Sequence, residues 1–221
     1  MTTPALVFDL DGTLIDSVYH HVLAWHEALN ELGIGLSVWR IHRRIGMSGG
    51  LFTRALLRET GRPLEPTLLE DLQRRHAEAF NARSDQIQPL PGARELLARL
   101  SERACRWAIA TSGRLETAGP NLERLGVPDG VPVVTRDQVA HAKPDPDLFL
   151  EAARQLGAEP KTTFAVGDSV WDLLAARRAG MLGIGLLSGG YGTDELERAG
   201  AYRVYQDPAE LLAHLDEVGV R

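Results

Sequence analysis

ALVFDLDGTLIDS, residues 5–17, is an apolar run that empties into three carboxylates. Ala5, Leu6, Val7 and Phe8 lack the alternation of a half-exposed strand, which predicts a short strand buried on both faces. Asp9 follows it directly, Asp11 stands two residues on, and Gly12 lets the chain turn away sharply. Carboxylates crowded at a strand mouth repel one another unless a positive charge sits between them. A divalent cation such as Mg²⁺, which prefers hard oxygen ligands, meets that need. A bare Asp-x-Asp reads more readily as a solvated turn, but the whole run from Asp9 to Ser17 points to a site.

Further β-type runs follow at Trp107–Ala110, 131–134, 163–166 and 183–187. Helical patterns at 92–103, Leu115–Leu125, 147–156 and Val170–Ala179 separate them. This alternation predicts βαβ crossovers and an α/β fold, a doubly wound parallel sheet covered on both faces. Ligands in such sheets bind beyond the carboxyl ends of the strands, where the polar motifs of this chain fall.

Residues 17–88 break the alternation. His21, Trp25, Leu29 and Leu32 repeat at helical spacing until Gly33 and Gly35. Leu51, Ala55, Leu56 and Glu59 predict a second helix, stopped near Gly61 and Pro63, and residues 68–80 a third. Pro89-Leu90-Pro91-Gly92 marks the return to the sheet. The expected division is a catalytic core of residues 1–16 and 89–221 with an inserted α-helical cap, residues 17–88.

The chain has 221 residues, 44% of them apolar, enough for a sizeable core. Its net charge of −6 leaves no electrostatic footprint for nucleic acid, so an anionic ligand must be held by local cations and a metal. Cys105 is the only cysteine, which excludes an intramolecular disulfide and a thiolate cluster; it is expected to be a small buried hydrophobe. No apolar run approaches the roughly 20 residues needed to span a bilayer. The expectation is a cytoplasmic protein, a monomer or small homo-oligomer, with no membrane or nucleic-acid partner.

Three more motifs sit at predicted strand ends. Thr111-Ser112-Gly113-Arg114 offers hydroxyls, freed backbone N–H groups and a guanidinium to an anion, or caps the next helix. Lys143 lies in HAKPDP, residues 141–146, where two prolines stiffen the loop. GDSVWD, residues 167–172, places Asp168 where a metal ligand belongs and Asp172 one helical turn further. Asp172 reads equally as an acid favoured at a helix N-terminus.

With its four motifs in this order, the chain resembles the haloacid dehalogenase-like (HAD) phosphohydrolases over nearly its full length. The subgroup it looks like contains the phosphoglycolate phosphatase and β-phosphoglucomutase types. The resemblance implies a Rossmann-like core and a phosphoric monoester hydrolase acting on a small phosphorylated metabolite. Asp9 would attack phosphorus and form an aspartyl phosphate. Asp11, which distinguishes the phosphate-ester branch, would protonate the leaving alcohol and then deprotonate water. Thr111 and Lys143 would stabilise the phosphoryl oxygens, with Gly12, Ser112, Gly113, Arg114 and Asp172 completing the phosphate site. Mg²⁺ would be held by the Asp9 and Asp168 carboxylates and the Asp11 main-chain carbonyl.

The basic, Gly-rich segment RIHRRIGMSGG, residues 40–50, is the candidate for substrate selection, through Arg43, Arg44, Gly46, Met47 and Ser48. It reads equally as a solvated helix end. His21 and Trp25 match cap positions of the mutase-type proteins and are expected to line the cleft. Those caps carry a basic residue just beyond the Gly-x-Ser; here Gly49 follows Gly46-Met47-Ser48. That departure favours hydrolysis over a phosphosugar mutase, the alternative activity, for which Arg44 or Arg114 would have to compensate. His42, His76 and His214 are expected to be isolated.

Overall fold

The computed structural model describes residues 4–63 and 65–220. Strand β1 (Ala5–Phe8) is fully buried along its length. Leu6 and Phe8 point into one apolar cluster and Val7 into another, as the two-residue period of a strand requires. Beside β1 lie β2 (Trp107–Ala110) and β4 (Thr163–Gly167); β3 (Val133–Val134), β5 (Leu182–Leu186) and β6 (Ala201–Tyr205) complete a parallel sheet of order β3-β2-β1-β4-β5-β6. The order reverses at β1. The crevice at its carboxyl end is therefore where a doubly wound sheet opens for a ligand.

Helices cover both faces. Leu96 and Leu100 of α5 (Ala93–Glu102), Leu125 of α6 (Leu115–Leu125) and Leu211 of α10 (Pro208–Ala213) pack on the Leu6–Phe8 side. Leu148 and Phe149 of α7 (Asp147–Gln155) and Ala175 and Ala176 of α8 (Val170–Ala179) pack on the Val7 side. Helix α9 (Thr193–Ala199) seats Leu196 against Leu173 and Tyr191.

Between β1 and α5 the chain runs through α1 (Val18–Glu31), α2 (Val38–His42), α3 (Gly49–Glu59) and α4 (Pro66–Asn81). These have a core of their own, with Trp25, Leu29, Ile41, Phe52, Leu56 and Leu72. The two connecting segments pair with each other: Asp16 N–H donates to Gln88 O (2.9 Å) and Leu90 N–H to Leu14 O (2.9 Å). The helical insertion thus hangs on two adjacent strand-like links.

Two strands differ from the sequence reading. The third strand is shortened to Val133–Val134, since Pro132 cannot donate to a ladder. The sixth strand was absent from it altogether: Tyr202 and Arg203 are exposed at the sheet edge, so AYRVY shows no apolar run. Cys105 is buried, its Sγ 3.2 Å from Pro4 O. Among the described residues no helix is long and apolar enough to cross a membrane.

Candidate active site

Asp9 leaves the end of β1 with its N–H bonded to Val166 O (2.8 Å), so the sheet itself aims its carboxylate into the crevice. Gly12 then reverses the chain at φ +82°; a Cβ there would lie 2.4 Å from Val18 Cγ2 and 2.6 Å from Asp168 Oδ2. Only glycine satisfies both the left-handed backbone and the close approach. The turn brings Thr13 to Asp168, whose Oδ1 accepts the Thr13 hydroxyl at 2.8 Å. Ser17, at the start of α1, donates to Asp11 Oδ1 at 2.6 Å.

The other strand ends converge on the same point. At the start of α8, Ser169 and Asp172 cap each other: Asp172 N–H donates to Ser169 Oγ (3.4 Å), Ser169 N–H to Asp172 Oδ2 (3.1 Å). That leaves Asp172 Oδ1 for Lys143 Nζ at 2.8 Å, and the same ammonium donates to Asp9 Oδ1. Lys143 is fully buried and Asp9, Asp168 and Asp172 nearly so. One oxygen from each of these three carboxylates lies within 4.8 Å of the others.

The charges follow from this packing. Burial pushes Asp9 up to about 7; Lys143 opposes the shift, and Asp172 and Asp11 add to it. Burial likewise raises Asp168 well above the usual carboxylate range, with the charges of Asp172 and Asp9 behind it. Burial works against the Lys143 ammonium, but Asp172 and Asp9 outweigh it and keep the lysine charged. Asp11 goes the other way: burial raises it, yet the His21 charge and the hydrogen bonds from His21 and Ser17 bring it below its ordinary value. Three buried carboxylates facing one ammonium are an all-oxygen donor set with excess negative charge, the chemistry that suits a hard divalent cation.

Beyond β2, Thr111 is buried and its Oγ1 accepts the Gly113 N–H at 2.9 Å. The Ser112 hydroxyl is engaged by Gly46 O (3.1 Å), and Arg114 meets Asp137 at 3.3 Å. Above them opens a cleft of about 310 Å³ whose walls include Asp9, Asp11, Thr111, Ser112, Gly113 and Arg114 from the sheet side. His21, Trp25, Gly46, Met47, Phe52 and His76 face them from the helical insertion.

Arg43 and Arg44 do not line this cleft. Arg43 pairs with Glu195 and lies over the Tyr191 ring; Arg44 pairs with Glu59 inside the insertion. Their expected place at the substrate is thereby corrected: acidic partners, one 152 residues away, turn them outward. Ser48 is buried as the N-cap of α3, with its N–H on Lys143 O (3.2 Å). His42 and His76 are not isolated either. His42 donates to Gly189 O (2.8 Å) and stacks on Tyr19, while His76 stacks on Trp25. The sequence reading missed Arg136, Gln73 and Phe52 as cleft residues. None carries a local motif; Arg136 enters because its N–H bonds Gly113 O (3.0 Å).

A family model described as haloacid dehalogenase-like hydrolase matches residues 3–180. A crystal structure of a hydrolase from Pseudomonas syringae is 53% identical and superposes with a TM-score of 0.94, covering 97% of this chain and 98% of that one. A probable phosphatase, IndB, of Dickeya dadantii is 35% identical over 89% of this chain and 86% of its own length. A β-phosphoglucomutase of Bacillus subtilis is 30% identical over 84% of each. With a sheet of this order and carboxylates at its switch point, the chain belongs to the haloacid dehalogenase-like hydrolases.

Proposed function

We propose that this chain is a Mg²⁺-dependent phosphatase that hydrolyses a small phosphorylated metabolite through an aspartyl phosphate on Asp9. The observation that carries the reading is the buried group of Asp9, Asp168 and Asp172 around Lys143 at the end of the central strand. Asp9 and Asp168, with the Asp11 main-chain oxygen, would hold Mg²⁺, which when bound offsets the negative charge of carboxylates and phosphoryl group. Asp172 is bonded to Ser169 through Oδ2 and turns Oδ1 toward the Lys143 ammonium at 2.8 Å, and serves to hold the lysine.

In the first half-reaction an Asp9 oxygen bonds to phosphorus while the ester P–O bond breaks, and Asp11, which enters this step in its acid form, gives its proton to the departing oxygen. In the second, Asp11 takes a proton from water as that water bonds to phosphorus. The acyl phosphate then breaks, releasing phosphate and restoring Asp9. Thr111, Lys143 and the backbone N–H groups of the 111–113 turn stabilise the phosphoryl oxygens. Residues 17–88 act as a cap that closes over this chemistry and keeps water out.

The mutase reading has the Bacillus subtilis relative in its favour. Against it, the described cap residues that line the cleft include no lysine or arginine to receive a second phosphate. Arg114 and Arg136 lie on the sheet side instead. A panel of phosphorylated metabolites and p-nitrophenyl phosphate, assayed with and without Mg²⁺, tests the proposal. Mg²⁺-dependent release of phosphate is the expected result. Conversion of β-glucose 1-phosphate with a bisphosphate primer, in preference to hydrolysis, would replace it with the mutase.

A further inference from the structure

Among the described residues two arginines line the cleft, both from the sheet side, and they differ in what holds them. Arg114 is exposed and paired with Asp137 at 3.3 Å. The other Asp137 oxygen accepts the Leu115 N–H, also at 3.3 Å. The acid next to Arg136 in sequence is thereby committed elsewhere. Arg136 is half-buried, and its Nη1 donates to two main-chain carbonyls, Val139 O at 3.0 Å and Ala140 O at 3.4 Å. Among the described residues no carboxylate pairs with it.

Its position is set by the backbone. Arg136 opens a one-turn helix, Arg136–Gln138, two residues beyond β3. Thr135 N–H donates to Gln138 Oε1 (2.9 Å) and closes that turn, while Arg136 N–H donates to Gly113 O (3.0 Å). Gly113 belongs to the turn assigned above to the phosphoryl oxygens: a Cβ on it would lie 3.2 Å from Thr111 Oγ1 and 4.0 Å from Asp11 Oδ2. The guanidinium is thus held in place beside the reaction site, so little side-chain entropy remains to be lost when a ligand binds. The facing wall, with Trp25, Ile45, Met47 and Gln73, carries no lysine or arginine.

An arginine without a counterion on the wall of a cleft is a receptor for a ligand oxyanion. A carboxylate brings one charge and two coplanar oxygens, which match one guanidinium fork. A second phosphoryl group brings about −1.5 to −2 at pH 7 and calls for a second cation, but Arg114 is already paired.

We propose that Arg136 determines specificity by receiving a carboxylate of the substrate, which makes phosphate monoesters of hydroxy acids the favoured class. The proposal rests on the reading of this site as a phosphatase.

Two pairs of esters in which a carboxylate replaces a hydroxymethyl group test it: 3-phosphoglycerate against glycerol 3-phosphate, and 6-phosphogluconate against glucitol 6-phosphate. In the presence of Mg²⁺, wild type should favour the carboxylate in at least one pair by about tenfold or more in kcat/KM. Arg136→Met should abolish that preference, and Arg136→Lys, which keeps the charge but not the fork, should retain part of it. Methionine also releases the Val139 and Ala140 carbonyls. A merely structural loss would lower both members of a pair alike and leave the preference standing, which would overturn the proposal. So would a wild type with no preference in either pair, or a preference for fructose 1,6-bisphosphate over fructose 6-phosphate that Arg136→Met removes while the carboxylate pairs stay unchanged. p-Nitrophenyl phosphate separates the underlying reading: no Mg²⁺-dependent turnover of it or of any ester would remove the phosphatase. Calorimetric titration of the same pairs into Asp9→Asn, with and without Arg136→Met, decides about Arg136 without turnover. Tighter binding of the carboxylate member that depends on Arg136 is expected, and equal affinities would contradict it.

Discussion

Lys143 pairs with Asp9 and Asp172, Asp168 crowds the same two carboxylates, and the strain of that arrangement is electrostatic. Between the ordinary carboxylate value of 3.8 and about 7, folded Asp9 keeps a proton that the unfolded chain has lost. Metal-free stability from this group therefore falls as pH rises through that window. A divalent cation requires the deprotonated carboxylates, so Mg²⁺ should raise Tm more at about pH 8 than at about pH 5.5. A Mg²⁺ shift that is flat or reversed with pH would remove these carboxylates as the metal site. Lys143→Met should leave the carboxylates uncompensated, costing about 3–5 kcal/mol in urea unfolding without metal and lowering kcat by at least about 10²-fold. An unchanged unfolding midpoint would contradict the charge balance described here. Asp9 and Asp168 are legible in sequence because each closely follows an apolar run, and Lys143 because two prolines mark its loop. The fate of Arg43 is not, because Glu195 is remote in sequence and no local pattern announces it.

The segment after α2 is where the insertion meets the sheet domain. Arg43 O accepts from Trp171 Nε1 (3.3 Å) and Tyr191 Oη (3.0 Å), and Gly46 O accepts from Ser112 (3.1 Å). Gly46 has φ +93°, and a Cβ on it would lie 2.7 Å from Ser169 Oγ. Gly46→Ala should therefore obstruct docking and reduce kcat/KM by at least about tenfold for every substrate, since backbone strain alone costs roughly 1–3 kcal/mol. Arg43→Ala removes a half-exposed ion pair of roughly 0.2–1 kcal/mol, and should lower kcat/KM by less than about fivefold without reordering the substrate panel. A reordered panel would return Arg43 to the substrate. The buried strands were legible as continuous apolar runs. The edge strand Ala201–Tyr205 was not, because half of it faces solvent, and α2 was read only as a basic segment because five residues show too little periodicity.

For the molecule as a whole, the parallel sheet places four chain segments, distant in sequence, at one crevice, and the paired links at Asp16–Gln88 hang the insertion above it. The order of the motifs and the alternation of strands and helices made this architecture readable. The closed contact between insertion and sheet domain was not, since it is built from backbone carbonyls and side chains without a sequence pattern. The proposed mechanism phosphorylates Asp9, and acyl phosphates are reduced by borohydride to the alcohol. Wild-type enzyme quenched during turnover, reduced and mapped by mass spectrometry should contain homoserine at position 9, and Asp9→Asn should contain none. Homoserine from another carboxylate, or none during active Mg²⁺-dependent turnover, would contradict the account.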